Sequence, residues 1–216
     1  MFCFSRPSRQ LKGDALELLE PDWSQPKPSP DEARTTCQRI QLSPVKLPQQ
    51  PFDAFVESLM ASHRNGGVQV AAFHLGANRV FDWFASRNRL TEFGLLDELL
   101  AQPTIREAVP ELRIPDSLKE AAGFNFSIPF TLDGNLANSL YRGGAYHRVN
   151  GDGAKEKELA GSVCDAMFGR RFGEVNRFTS HEPWTPWFGG IAWDSSDIVF
   201  DRRLRRLWLI AITDSD

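Results

Sequence analysis

The apolar positions of this chain change period several times, and each change marks an element. Phe52, Phe55, Val56, Leu59 and Met60 recur at helical spacing, and Gly66-Gly67 close that stretch. Val68, Val70 and Ala72 then alternate, which predicts a buried strand continuing toward Phe73 and Leu75. A second helix is expected from Asn78 to Ser86. A third is expected from Thr91 to Ala101, with Thr91 as N-cap and Leu95, Leu96, Leu99 and Leu100 as its stripe. Pro103, Pro110 and Pro115 divide the next stretch into short helical pieces. Phe124, Phe126 and Ile128 alternate as a strand, and a helix runs from Asp133 to Tyr141. The clearest helix is Ala154 to Phe168, with Leu159, Val163 and Met167 on one stripe and Gly169 at its end. Glu174 to Thr179 reads as a weak strand. The chain closes as a hairpin: Ile191 to Phe200 outward, a polar turn at Asp201-Arg202-Arg203, and Leu207 to Ile212 back. The expected fold is α+β: an antiparallel sheet that ends in a C-terminal β-hairpin and packs against several helices.

Residues 1–50 are different in kind. They hold seven of the 14 prolines, and the run Pro21 to Pro30 excludes a helix interior. We read this segment as a Pro-rich leader, extended or partly ordered, with a short helix around Leu11 to Leu19. Trp23 and Ile40 are its candidate anchors if it wraps the domain. Residues 51–216 are then a single α+β domain.

Composition narrows the classes. The chain has 216 residues, a net charge of -3, 41% hydrophobic and 25% charged residues, all ordinary for a globular protein. A pI near 5.9 lacks the basic field of a nucleic-acid binder. No window approaches 18 uninterrupted apolar residues, so no membrane span is expected. Cys3, Cys37 and Cys164 are odd in number and far apart, which argues against a disulfide framework or a zinc ribbon. A reducing, cytoplasmic compartment is the simplest expectation. No metal-ligand spacing and no cofactor loop stands in the sequence; Gly143-Gly144 is too short for a phosphate loop.

The densest chemistry lies at the C-terminus, where Trp184, Trp187, Trp193 and Trp208 make up four of the six tryptophans. They are either core filling or a partner-binding surface, where tryptophan is enriched. Asp194, Asp214 and Asp216 are candidates to converge as an acid–base pair or an oxygen site for a divalent cation; the alternative is turn capping. Cys164 with His147 or His181 is a conceivable nucleophile pair, but its mid-helix position suits a buried thiol. Arg202 to Arg206 reads as a solvated turn. Tyr141-Arg142-Gly143 is similar to the arginine strand of ADP-ribosyltransferases, yet no Glu-x-Glu motif comes after Ser180.

One larger pattern remains. Gly143-Gly144-Ala145-Tyr146, then Trp187-Phe188, Ala192-Trp193-Asp194, and Thr213-Asp214-Ser215-Asp216 resemble a group of uncharacterised bacterial proteins over residues 140–216. The resemblance implies a bacterial cytosolic protein and brings no activity with it. Small acidic bacterial proteins of this kind are often immunity proteins that neutralise a cognate toxin. The expected function is therefore non-enzymatic protein binding. A cognate protein partner, a toxin in the immunity case, would dock on Trp184, Trp187, Trp193, Asp194, Asp214, Asp216 and Tyr146. The alternative is a carboxylate-based hydrolase, with or without metal assistance, using Asp194 and Asp214.

Overall fold

A computed structural model describes residues 19–118, 122–147 and 152–215. Its centre is a six-stranded antiparallel sheet in the order β1-β2-β6-β5-β4-β3. The strands are β1 (Leu42–Val45), β2 (Gly67–Leu75), β3 (Asn125–Ser127), β4 (Val175–Ser180), β5 (Ser195–Asp201) and β6 (Arg206–Thr213). The C-terminal hairpin is β5–β6, in register from Ser195 opposite Ile212 to Asp201 opposite Arg206. Its return strand β6 then pairs with β2 over eight positions.

The run Leu-Trp-Leu-Ile-Ala-Ile in β6 is apolar at every position because both of its faces are covered. Successive side chains of a strand point to opposite faces. Leu207, Leu209 and Ala211 face one core, with α1 (Pro30–Arg39), α3 (Arg79–Ala85), α4 (Leu95–Leu100) and α5 (Pro103–Ala108). Trp208, Ile210 and Ile212 face the other, with α2 (Gln49–Ser62), α6 (Leu132–Arg142) and α7 (Ala154–Met167). The expected α+β class and C-terminal hairpin therefore hold, with the sheet sandwiched between two helical layers. Trp208 is fully buried and stacks on Phe52 at 5.3 Å and 1°. Such a pair is worth about 0.5–1.5 kcal/mol beyond its area.

Several expectations are corrected. The region before Pro51 is not merely a leader: from Pro30 it forms α1 and β1, which pairs with β2. Pro30 does not break this helix because it sits in the first turn, where its missing N–H has no intrahelical partner anyway. Ser29 caps the helix and Glu32 returns the bond to the Ser29 amide, completing a capping box. Ala33, Cys37 and Ile40 are buried, so Ile40 is an anchor, while Trp23 is 73% exposed under the Arg87 guanidinium. Most of the expected Leu11–Leu19 helix lies outside the described residues.

Thr91 makes no cap bond. The helix expected there begins instead at Leu95, after Gly94 in the left-handed region. The outgoing hairpin strand begins at Ser195 rather than Ile191, because residues 191–194 form a turn. The arginine run is not a solvated turn. Arg203 pairs with Glu174, and Arg205 binds Asp82 and the Leu75 and Gly76 carbonyls. Arg202 donates to the Leu19 and Gly173 carbonyls. The run clamps neighbouring segments onto the hairpin end. Tyr141 and Arg142 end helix α6 rather than occupying a strand, which removes the strand geometry of an ADP-ribosyltransferase arginine.

Candidate functional site

Two carboxylates organise the C-terminal pattern. Asp214 is 2% exposed, and its two oxygens accept the amides of Asn65 at 2.9 Å and Ala145 at 2.7 Å. It thereby joins the end of β6 to the turn after α2 and to the Gly143-Gly144-Ala145 turn after α6. A Cβ on Gly144 would overlap both Asp214 Oδ2 and the Ser62 carbonyl oxygen. Glycine is thus required there by close approach of chain segments.

Asp194 makes the second staple. Its Oδ2 accepts the amides of Gly190 at 2.6 Å and Ile191 at 3.0 Å, and its Oδ1 accepts the Thr213 hydroxyl. These bonds fold residues 190–194 back on themselves, which is why β5 starts late. Thr213 shares a face of β6 with Ala211 and Leu209. Asp214, one residue on, points to the opposite face, toward α2 and α6. The oxygens of Asp194 and Asp214 are each occupied by donors of the protein itself. No group of three His, Cys, Asp or Glu able to hold a metal ion occurs among the described residues. Asp216 lies outside the described residues.

The tryptophans divide. Trp184 is 8% exposed, and its indole N–H donates to Ser196 at 2.9 Å, so it fills the core with Phe124 and Phe188. Trp208 is sealed. Trp187 and Trp193 are half-buried, and Tyr146 is 66% exposed. The aromatic surface lies mainly elsewhere. Phe126, Ile128 and Phe130 are 45%, 54% and 67% exposed on and just beyond β3, the last strand of the sheet. Phe130 stacks on Phe172 at 4.7 Å, and Phe126 leans on Phe178.

The two cysteines among the described residues are buried. Burial pushes both Cys37 and Cys164 up to about 12, far from thiolate formation at neutral pH.

A polar groove runs between α6 and the ends of β4 and β5, in two adjoining lobes. One, of about 130 Å³, is lined by His63, Asn138, Ser139, Arg142, His181 and Trp193, among others. The other, of about 220 Å³, adds Asn135, Thr179 and Asp197, and the two share Asn138, Ser139, His181 and Ser195. His181 Nδ1 lies 3.0 Å from the Asp194 carbonyl oxygen. A carbonyl oxygen only accepts, so Nδ1 carries the proton of this bond. His63 Nδ1 lies near the Leu59 carbonyl and Ser62 Oγ, and burial lowers its pKa, which keeps the ring neutral. Asp197 is held by the fully buried Arg177, whose Nε donates at 2.7 Å. Burial pushes the Asp197 carboxyl up, while Arg177 pulls the other way. Arg177 also donates to the Thr131 hydroxyl, and its Nη2 has no partner among the described residues.

With this geometry established, comparison with known proteins adds no identity: no family model matches the chain, and no curated protein aligns significantly with it. Asp194 takes the turn-capping role that was the alternative in the sequence, whereas the long-range bonds of Asp214 to Asn65 and Ala145 had no local signal. For the groove, the polar stripe Asn135, Asn138, Ser139 and Arg142 on α6 is a local signal, while His181 joins it only through tertiary packing.

Proposed function

We propose that the protein acts by binding another protein, as a toxin-neutralising immunity protein of the bacterial cytosol, and that its partner docks along β3. The observation that carries this reading is the exposed row Phe126, Ile128 and Phe130 on a free sheet edge. An edge strand offers unpaired backbone donors and acceptors that natural proteins normally shield with charge. Here three large apolar side chains stand at that edge. An extended segment of a partner can pair with such a strand through its main chain and draw specificity from the flanking apolar side chains. The net charge of -3 favours a basic partner over an acidic one. The sites for docking thus shift from the buried Trp184, Asp194 and Asp214 to the β3 edge, with Trp187, Trp193 and Tyr146 remaining accessible in part.

The test is co-expression with the products of the adjacent genes, followed by calorimetric titration of any purified pair. One neighbouring product is expected to form a stoichiometric complex and to lose its toxicity in that complex. The Phe126→Glu/Phe130→Glu double variant should weaken the complex at least about 100-fold, the loss of a two-residue hot spot. Failure of every neighbouring product to bind, or undiminished binding by the double variant, would overturn the proposal.

A further inference from the structure

We infer that the groove between α6 and the ends of β4 and β5 is a binding site for a small phosphorylated polyol, a ring of hydroxyl groups bearing one phosphate. The inference is independent of protein docking on β3. It rests on how the two lobes differ in chemistry.

The smaller lobe is rich in donors and poor in acid. Arg142 lines it and has no ion-pair or hydrogen-bond partner within the described protein, so its five-donor fork is free to meet an oxyanion. Asn138 and Ser139 stand beside it. The one carboxylate at its wall, Asp194, is already occupied by Gly190, Ile191 and Thr213 and offers a phosphate little repulsion that those donors do not offset. An anion is the ligand this lobe suits.

The larger lobe has the opposite balance. Its polar groups are side-chain amides and hydroxyls: Asn135, Asn138, Ser139, Thr179 and Ser195. Among the described residues the Asn135 and Asn138 side chains have no partner inside the protein, although both line the groove. Asp197 adds an acceptor whose charge is balanced from behind by Arg177. Hydroxyl groups both donate and accept, and this mixture of uncharged amides, hydroxyls and one neutralised acid matches them rather than a second charge. His181 and Ser195 border both lobes, so one ligand can span them. The half-buried Trp193 flanks the smaller lobe with a flat apolar face for the C–H side of a sugar ring. The lobe volumes of about 220 and 130 Å³ suit a single-ring ligand rather than a drug-sized one.

The full chain is titrated calorimetrically with three probes: glucose 6-phosphate, glucose and inorganic phosphate. Glucose 6-phosphate is expected to bind saturably, and each fragment at least about tenfold more weakly, because only the whole probe engages both lobes. Arg142→Gln should weaken glucose 6-phosphate about tenfold through loss of a charge-assisted bond. Asn135→Leu, in the larger lobe alone, should weaken it and leave the residual affinity for inorganic phosphate nearly unchanged. Arg39→Gln, at an exposed arginine on α1, is the control and should change nothing. All three replaced side chains are exposed, so unchanged thermal midpoints will confirm intact folds. Absence of saturable binding by glucose 6-phosphate overturns the inference. So does inorganic phosphate binding as tightly as the whole probe, or affinity indifferent to Arg142 and Asn135.

Discussion

At Gly144 the tolerance of the chain for one extra atom is close to nil. A methyl group there would collide with the Asp214 carboxylate and the Ser62 carbonyl, both parts of the framework rather than flexible ends. Gly144→Ala should therefore cost at least about 1–3 kcal/mol, the range for overpacking a well-filled site. Urea unfolding measures it, with Gly134→Ala as a control, since the nearest atom to a Cβ there is the mobile Lys157 Nζ at 3.8 Å. His63 gives a second residue-scale expectation. Its burial holds the folded pKa below the ordinary 6.5, with the Leu59 carbonyl and Asp214 opposing. Above pH 6.5 the ring is neutral in both folded and unfolded chains. As the pH falls below 6.5, the unfolded chain takes up a proton that the folded chain still refuses, so stability declines until the folded value is passed. The slope from this residue is at most about 1.4 kcal/mol per pH unit. The thermal midpoint should fall as the pH drops from 6.5 toward about 5, and His63→Asn should flatten that dependence; an unchanged slope would reject the assignment.

At the scale of elements, the informative case is α1. Its prolines read as breakers, yet Pro30 is in the first turn and the helix is closed by Ser29 and Glu32. A ten-residue helix with a marginal apolar face depends on its cap and on the core that receives it. Ser29→Ala should lower stability by about 1 kcal/mol, read as a shift in the urea midpoint with unchanged slope. A null effect would show that packing of Ala33, Cys37 and Ile40 alone holds the helix. The hairpin teaches the converse lesson. The periodicity of Leu207 to Ile212 marks β6 without ambiguity, because a strand covered on both faces is apolar throughout. The start of β5 was not legible, because Trp193-Asp194 carries the same local preference whether extended or turned. The bonds from Gly190, Ile191 and Thr213 to Asp194 decide it.

For the whole molecule, the two helical layers cover both faces of the sheet and leave its edges as the remaining unpaired surface. Both edge strands are short, but β1 contains Pro44, whereas β3 carries Phe126 and is followed by Ile128 and Phe130. Association of the protein should therefore be governed at β3. Phe130→Lys should reduce self-association at high concentration, measured by light scattering, while shifting the thermal midpoint by no more than a few degrees. Loss of scattering by a comparable change at Leu204, an exposed apolar residue at the hairpin turn, would place the sticky surface elsewhere.

The linear chain determined on its own the α+β class, most helices, the terminal hairpin and the absence of an apolar span long enough for a membrane. These come from short-range periodicity, which packing amplifies and seldom reverses. Only the folded molecule decided what the polar residues do. A carboxylate's role depends on which donors reach it, and the donors to Asp214 come from turns about 70 and 150 residues away. The groove is mixed: Asn135, Asn138, Ser139 and Arg142 share one face of α6 at helical spacing, whereas His63, Thr179, His181, Ser195 and Asp197 reach it from other segments only in the folded molecule.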